Sequence, residues 1–148
     1  MVGAAELFLC ETLVNNKWTI VVFGDSHLRR KLVVRFGARP LSNISDKDLA
    51  EVYAQCRLAV CPQKWETFGY VAAEAIGCGT TPLAFNCMGL AEVVNITGNG
   101  LLANNETEFL GLLSEGSSES RHETAQSSYP FSSKNSAEMW HAFLQKTN

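Results

Sequence analysis

Residues 57–85 read RLAVCP, QKWETFG, YVAAEAIGCG and TTPLAF in succession. Two short apolar runs flank a polar loop and a longer apolar segment. The first run stops at Pro62, which has no N–H to give to a sheet ladder. The segment from about Phe68 to Cys78 reads as an alanine-rich helix stopped by Gly79. A strand, a helix and a second strand leave few options. Strands joined through a helical crossover lie parallel in one sheet, and helices then cover both faces.

The alternation extends in both directions. GAAELFLCETLV (3–14) places Ala4, Leu7, Phe8 and Glu11 at helical spacing, and WTIVVFG (18–24) is a β-branched and aromatic strand. KLVVRFG (31–37) reads as a second strand. SDKDLAEVYAQC reads as a helix with Ser45 as N-cap, Asp48 three residues later and Leu49, Val52 and Tyr53 as its apolar stripe. RLAVCP and TTPLAF are the next strands, LAEVV a short helix and GNGLLA a last short strand. The expected fold is α/β over residues 1–115, a Rossmann-like parallel sheet with helices on both faces. Residues 116–133 are Ser-rich and polar, a linker, and 134–148 regain a helical pattern through Ala137, Trp140 and Phe143 or Leu144. In such sheets ligands bind beyond the carboxyl ends of the strands, so the loops after Phe23, Phe36, Cys61 and Phe85 are where function is sought.

Composition narrows the function classes. A net charge of −3 and a pI near 5.6 argue against a nucleic-acid surface. His27, His122 and His141 follow no metal spacing. The five cysteines are odd in number, form no C-x-x-C pair and sit partly in apolar runs, as in a reduced cytoplasmic protein. The start MVGAAELFLCE lacks a basic leader, and no apolar run reaches the ~18 residues of a membrane helix. In that setting the sequons at Asn43, Asn95 and Asn105 are chance matches.

WETFGYVAAEAIGCG carries the chemistry. A helix starting near Thr67–Phe68 would offer unpaired N–H groups and a partial positive charge at the sheet edge, and Gly69 would let a ligand approach closely. That is an anion site suited to phosphate, or a plain strand–loop–helix connection capped by Thr67. Glu74 falls in a helix read as apolar all round and therefore buried. A buried carboxylate needs a partner, either a base such as Arg57 or Arg35 or a ligand with vicinal hydroxyls. Glu66 lies before the helix start, where a negative charge is worth roughly 0.3–1 kcal/mol to the helix, or could instead bind a hydroxyl. Amides for a diphosphate between two carboxylates for hydroxyls suit a sugar nucleotide.

The segment resembles the donor-binding motif of retaining GT-B glycosyltransferases of glycosyltransferase family 4, with its Glu-x7-Glu signature. The matching residues are Pro62, Glu66, Phe68, Gly69, Glu74, Ala75, Gly79 and Pro82. NCMGLAEVVNITGNGLLANN resembles the family's downstream Gly and Asn-Gly motifs, and VVFGD with VRFGARPLSNISDKDLAEVYAQC its upstream elements. The resemblance runs from Val2 to about Leu113 and implies the carboxy-terminal half of a GT-B fold. It implies that Glu66 is the catalytic-site carboxylate, contacting the transferred hexose-type sugar. Backbone near Thr67, Phe68, Gly69 and Tyr70 would hold the diphosphate, and Glu74 the ribose hydroxyls. Arg39, Pro40 and Leu41 would border the base, and Gly24 and Asp25 would close the neighbouring strand beside the donor. The donor phosphate would help deprotonate the acceptor, with no metal and no cofactor beyond the nucleoside-diphosphate sugar.

The chain departs from the family in two ways. It resembles only the second half, so the expected partner is an amino-terminal GT-B half, missing or on a separate chain, and membrane association would reside there. The family's Arg/Lys pair has no counterpart; Lys64 is the local substitute, ahead of the basic turn Arg29, Arg30 and Lys31. A non-catalytic nucleotide- or sugar-binding module is the alternative. A sugar-nucleotide epimerase of similar architecture fits the motifs less well.

Overall fold

The computed structural model describes residues 21–22, 27–41, 43–115 and 131. The expected helix at 3–14, most of the strand at 18–24, Gly24 and Asp25, most of the Ser-rich linker and the closing helix at 134–148 lie outside the described residues.

In order, the elements are β1 (Val21–Val22), α1 (His27–Phe36), β2 (Arg39–Pro40), α2 (Asp46–Gln55), β3 (Leu58–Cys61), α3 (Tyr70–Gly77), β4 (Thr81–Phe85), α4 (Met88–Thr97), β5 (Leu101–Ala103) and α5 (Glu106–Glu115). Every strand pair is parallel. β1 pairs with β2, and β3, β4 and β5 form a second ladder in that order. The α/β class and the Rossmann-like alternation expected from the sequence are what the chain adopts.

Two-residue alternation sorts the strands between faces. In register, Val60 faces Leu83 and Leu83 faces Leu101; one residue on, Cys61 faces Ala84 and Ala84 faces Leu102. Leu83, Phe85 and Ala103 pack with Phe109 and Leu113 of α5, and the Phe85 and Phe109 rings stack at 4.7 Å. Cys61 and Ala84 pack on the other face against Ala72, Ala73 and Ile76 of α3 and Leu90 and Val93 of α4. Beside them Tyr53 of α2 fills the gap between Ala59 and Ala75. Small residues on α3 let it sit close to the sheet, fixing the site borne at its amino end.

Ser45 caps α2 as expected. Its hydroxyl accepts the Asp48 N–H at 3.2 Å, and Asp48 returns a bond to the Ser45 N–H, a reciprocal box.

The structure corrects three local readings. Residues 31–37 are not a strand. They continue the helix α1, with Lys31, Val34 and Arg35 exposed and Leu32, Val33 and Phe36 half-buried. Spacing of one and three is helical, not alternating, and Leu, Lys and Arg outweigh two valines. The helix ends where the Gly37 N–H bonds back to the Val33 carbonyl at 3.1 Å. The strand follows instead at Arg39–Pro40, so the loop expected at 38–41 is partly a strand, extended by a 2.9 Å bond from the Leu41 N–H to the Val22 carbonyl. Finally, α5 is a full helix after the last strand, where no helix was expected. Its start was written in NNETE: Asn105 accepts the Glu108 N–H at 2.9 Å, and Glu108 accepts the Asn104 N–H at 2.8 Å.

Leu83 is fully buried between α5 and the sheet. Leu83→Ala should lower unfolding free energy by ~2–5 kcal/mol in urea titration. Ile96→Ala, on the open side of α4, should stay within ~0.5 kcal/mol.

Candidate active site

The loop from β3 to α3 leaves the carboxyl end of the sheet. It packs on α4 with almost no clearance. A Cβ placed on Gly89 would lie 2.4 Å from the Thr67 carbonyl oxygen and 2.5 Å from Phe68 backbone. The Gly89 N–H donates to the Glu66 carbonyl at 3.1 Å. Gly69 has φ +90°, which side chains rarely adopt, and a Cβ there would crowd Leu90 at 3.2 Å. Two glycines, one in each element, thus press the loop onto the first turn of α4.

The contact sets two helix starts side by side. α3 begins at Tyr70 with Gly69 as its cap residue, and no side chain caps it. The expected start near Thr67–Phe68 is therefore early by two or three residues, and Thr67 is not the N-cap. The left-handed Gly69 turns the chain first. α4 begins at Met88 after Cys87, again with no side-chain cap. Met88 carries φ +42° and is exposed. At the start of α4 the Gly89 N–H is taken by the Glu66 carbonyl, but no side chain caps either helix, and both helix dipoles favour an anion there.

Glu66 is half-buried and curls back over the loop, its Oε1 accepting the Phe68 N–H at 3.3 Å. Glu74 is not buried, which corrects the reading of α3 as apolar all round. Ala72, Ala73, Ala75 and Ile76 face inward, while Tyr70, Val71 and Glu74 share the open side. The partner the structure gives Glu74 is neither of the arginines considered. The Tyr53 hydroxyl donates to Glu74 Oε2 at 3.1 Å. These two groups line a cavity of about 400 Å³ with Phe68, Tyr70, Leu49 and Phe131. Phe68 stacks obliquely on Tyr70 at 4.6 Å and meets Phe131 edge-on at 5.5 Å. The cavity joins an acceptor of hydrogen bonds to aromatic walls.

Lys64, Arg39, Pro40 and Leu41 do not line that cavity. Arg39 and Pro40 are exposed on β2, with Leu41 half-buried beyond them. Lys64 lies over the Phe85 ring at 5.1 Å and pairs with Glu106 at 2.6 Å. Both partners are more than half exposed, so the pair itself contributes little to stability. It does tie the loop carrying Glu66 to the start of α5. A second cavity of about 550 Å³ opens there, where Asn86 donates to Asn104 at 2.9 Å.

Tyr53 and Gly89 are the residues that sequence reasoning did not assign a role. Tyr53 reads as core from its stripe position, and nothing local announces a contact across 21 residues. Gly89 stood in the downstream Gly motif of NCMGLAEVV, but its tight packing is visible only in three dimensions.

Residues 9–113 match the family of Glycosyl transferases group 1. The chain belongs to that family. It is 30% identical over 97 residues to an uncharacterized 41.2 kDa protein in the cps region of Klebsiella pneumoniae, covering 62% of this chain and 26% of that protein. It is 30% identical over 104 residues to a GDP-mannose-dependent alpha-(1-6)-phosphatidylinositol dimannoside mannosyltransferase of Mycobacterium tuberculosis, covering 68% of this chain and 26% of that one. The matched region thus spans about a quarter of the length of these curated relatives. Among the described residues no helix is long and apolar enough to cross a membrane, and no group of His, Cys, Asp and Glu could hold a metal ion.

The two glutamates also perturb their neighbours. Burial, then the negative charge of Glu66, pushes the Cys61 thiol up to about 12 from an ordinary 9.0. Burial, then the Glu74 charge, raises the Tyr53 hydroxyl. Burial raises the Cys78 thiol in the same way, with Glu74 adding to it. Between pH 9 and 12 an unfolded Cys61 has lost its proton while the folded one keeps it. The unfolded state then binds fewer protons, so stability is full below about pH 9 and falls as pH rises through that window. Urea midpoints should fall over this range, with Tyr53 adding in the same direction, and Cys61→Ala should blunt the fall. Gly89→Ala should displace the loop or cost ~3 kcal/mol or more, read as a lower melting temperature with the sheet core retained.

Proposed function

We propose that this chain is the donor-binding domain of a retaining glycosyltransferase that moves a hexose-type sugar from a nucleoside diphosphate. The observation that carries the reading is the placing of Glu74. It stands on the open face of α3, one turn beyond an uncapped helix start, in an aromatic-lined cavity. The diphosphate lies on the amides near Phe68, Gly69 and Tyr70, with Glu66 releasing the Phe68 N–H to it and the start of α4 beside it. Glu74 takes the ribose hydroxyls, since a carboxylate accepts two hydrogen bonds at once. Glu66 faces the sugar. Arg39, Pro40 and Leu41 border the base, and Gly24 and Asp25 the far side of the donor.

In this reading the domain supplies fixed dipoles for the charge that builds on the departing nucleoside diphosphate. No metal or further cofactor takes part. An amino-terminal half brings the acceptor, and peripheral contact with a membrane, if the enzyme has any, lies in that half. The enzyme works in the cytoplasm, in polysaccharide assembly. The printed name of the Mycobacterium relative makes GDP-mannose the first donor to test.

The pairing of Lys64 with Glu106 favours a second reading. A binding module that lacks a cation at the diphosphate would hold a nucleotide and transfer nothing. Transfer on mixing with an amino-terminal half separates the two.

Calorimetry with GDP and UDP should show weak binding of one of them to the chain. Glu74→Ala should weaken it about tenfold or more, the size of one or two hydrogen bonds to a charged group. Glu66→Ala should leave nucleotide affinity within about twofold and remove whatever the attached sugar adds. Equal nucleotide affinity in Glu74→Ala and the parent would sink the ribose assignment.

A further inference from the structure

We infer that Tyr53 is a positioning residue for Glu74 and thereby sets the preference of the site for ribose over deoxyribose. The inference rests on the proposed reading that Glu74 holds the ribose. Tyr53 is 4% exposed, and its ring is fixed between Ala59 and Ala75. Its own carbonyl accepts a short hydrogen bond from the buried Thr80 hydroxyl, which pins the last turn of α2 to the start of β4. A rigid donor therefore reaches into the cavity from a rigid backbone. Its hydroxyl donates to Glu74 Oε2 at 3.1 Å, on an otherwise exposed side chain.

A glutamate on an open helix face has three rotatable bonds and several populated rotamers. Two vicinal hydroxyls need both carboxylate oxygens at once, in one plane and one direction. Binding them from a mobile side chain costs the entropy of ordering it. Tyr53 settles that cost during folding. It donates to one lone pair of Oε2 and leaves Oε1 and the remaining Oε2 lone pair to accept from a ligand. A tyrosine suits the task better than a base would. Burial, then the charge of Glu74 and the hydrogen bond to it, keep its proton in place. It orients the carboxylate without neutralising the charge that strengthens bonds to the ribose.

The chemistry predicts a selective effect. A ribonucleotide uses both carboxylate oxygens, whereas a 2′-deoxynucleotide offers one hydroxyl and tolerates a swinging carboxylate. Tyr53→Phe keeps the ring, its packing and the charge of Glu74. The test measures GDP and UDP binding to the full chain by calorimetry, then the 2′-deoxy counterpart of whichever binds, on the parent, Tyr53→Phe, Glu74→Gln and the double variant. Tyr53→Phe should weaken the ribonucleotide roughly threefold to tenfold and the deoxynucleotide by less than about twofold. In the double variant the loss of Tyr53 should add nothing to that of Glu74. Equal weakening of both nucleotides, or none, by Tyr53→Phe while Glu74→Gln abolishes the preference would overturn the inference and leave the ribose assignment standing. A ribose preference that survives Glu74→Gln, or no binding of either nucleotide, removes the assignment and the inference with it. Should Tyr53→Phe fail to fold, the parent gives the reading by NMR of ¹³Cζ-labelled tyrosine. One of the three tyrosines should remain protonated a pH unit above the usual tyrosine value of about 10 and shift on ribonucleotide addition, but not on deoxynucleotide addition. The same shift with both nucleotides would refute the inference.

Discussion

The site depends on one steric fact: the peptide between Thr67 and Phe68 rests directly on the Cα of Gly89. No other residue type leaves room for it. That contact holds the first turn of α4 against the loop before α3, and the Gly89–Glu66 hydrogen bond locks the register. Two helix starts that would otherwise be independent share one patch of surface. A single uncapped helix start is a common and weak feature. Two adjacent ones add their dipoles over the same few ångströms.

The sheet delivers those helix starts. Because β3, β4 and β5 run parallel, every following loop emerges at the same edge. Strand alternation sends Leu83 and Phe85 to α5 and Ala84 to α3 and α4. α3 could not approach so closely with larger residues at 72, 73 and 75. The left-handed turn at Gly69 is one that glycine adopts freely, whereas the positive φ of Met88 is a local cost of order 1 kcal/mol. Both fall at helix starts that no side chain caps, between elements held by buried core.

Much of this was legible beforehand, and the failures have physical causes. The β3–α3–β4 unit read correctly because two apolar runs of strand length flank a helix-length one. The Ser45 box read correctly because its partners lie three residues apart. Residues 31–37 misread because two valines and a phenylalanine carry β propensity, while the exposed face that makes them helical is fixed by packing. α5 went unread because its cap residues sat in a run resembling a loop. The two helix starts were legible only singly. Their adjacency depends on Gly69 and Gly89, which lie 20 positions apart and meet in the fold.

Glu74 shows how a wrong premise reached a useful residue. The segment was read as fully buried, so its charge demanded a partner. The structure places the charge on the open side, where no partner is demanded by desolvation. Yet a buried hydroxyl reaches out to it from another helix, 21 residues away in sequence. A tyrosine whose hydroxyl served only its own burial would point to a backbone carbonyl within the core. This one is aimed outward, at a carboxylate that water could have satisfied. Stability alone gives little reason for that geometry, because the same carboxylate raises the energy of ionising Tyr53 and leaves a side chain of Glu74 ordered at an entropic cost. An ordered acceptor on an open face is useful to something that arrives from outside. What marks Glu74 as a ligand group is therefore the hydrogen bond that orders it, not burial.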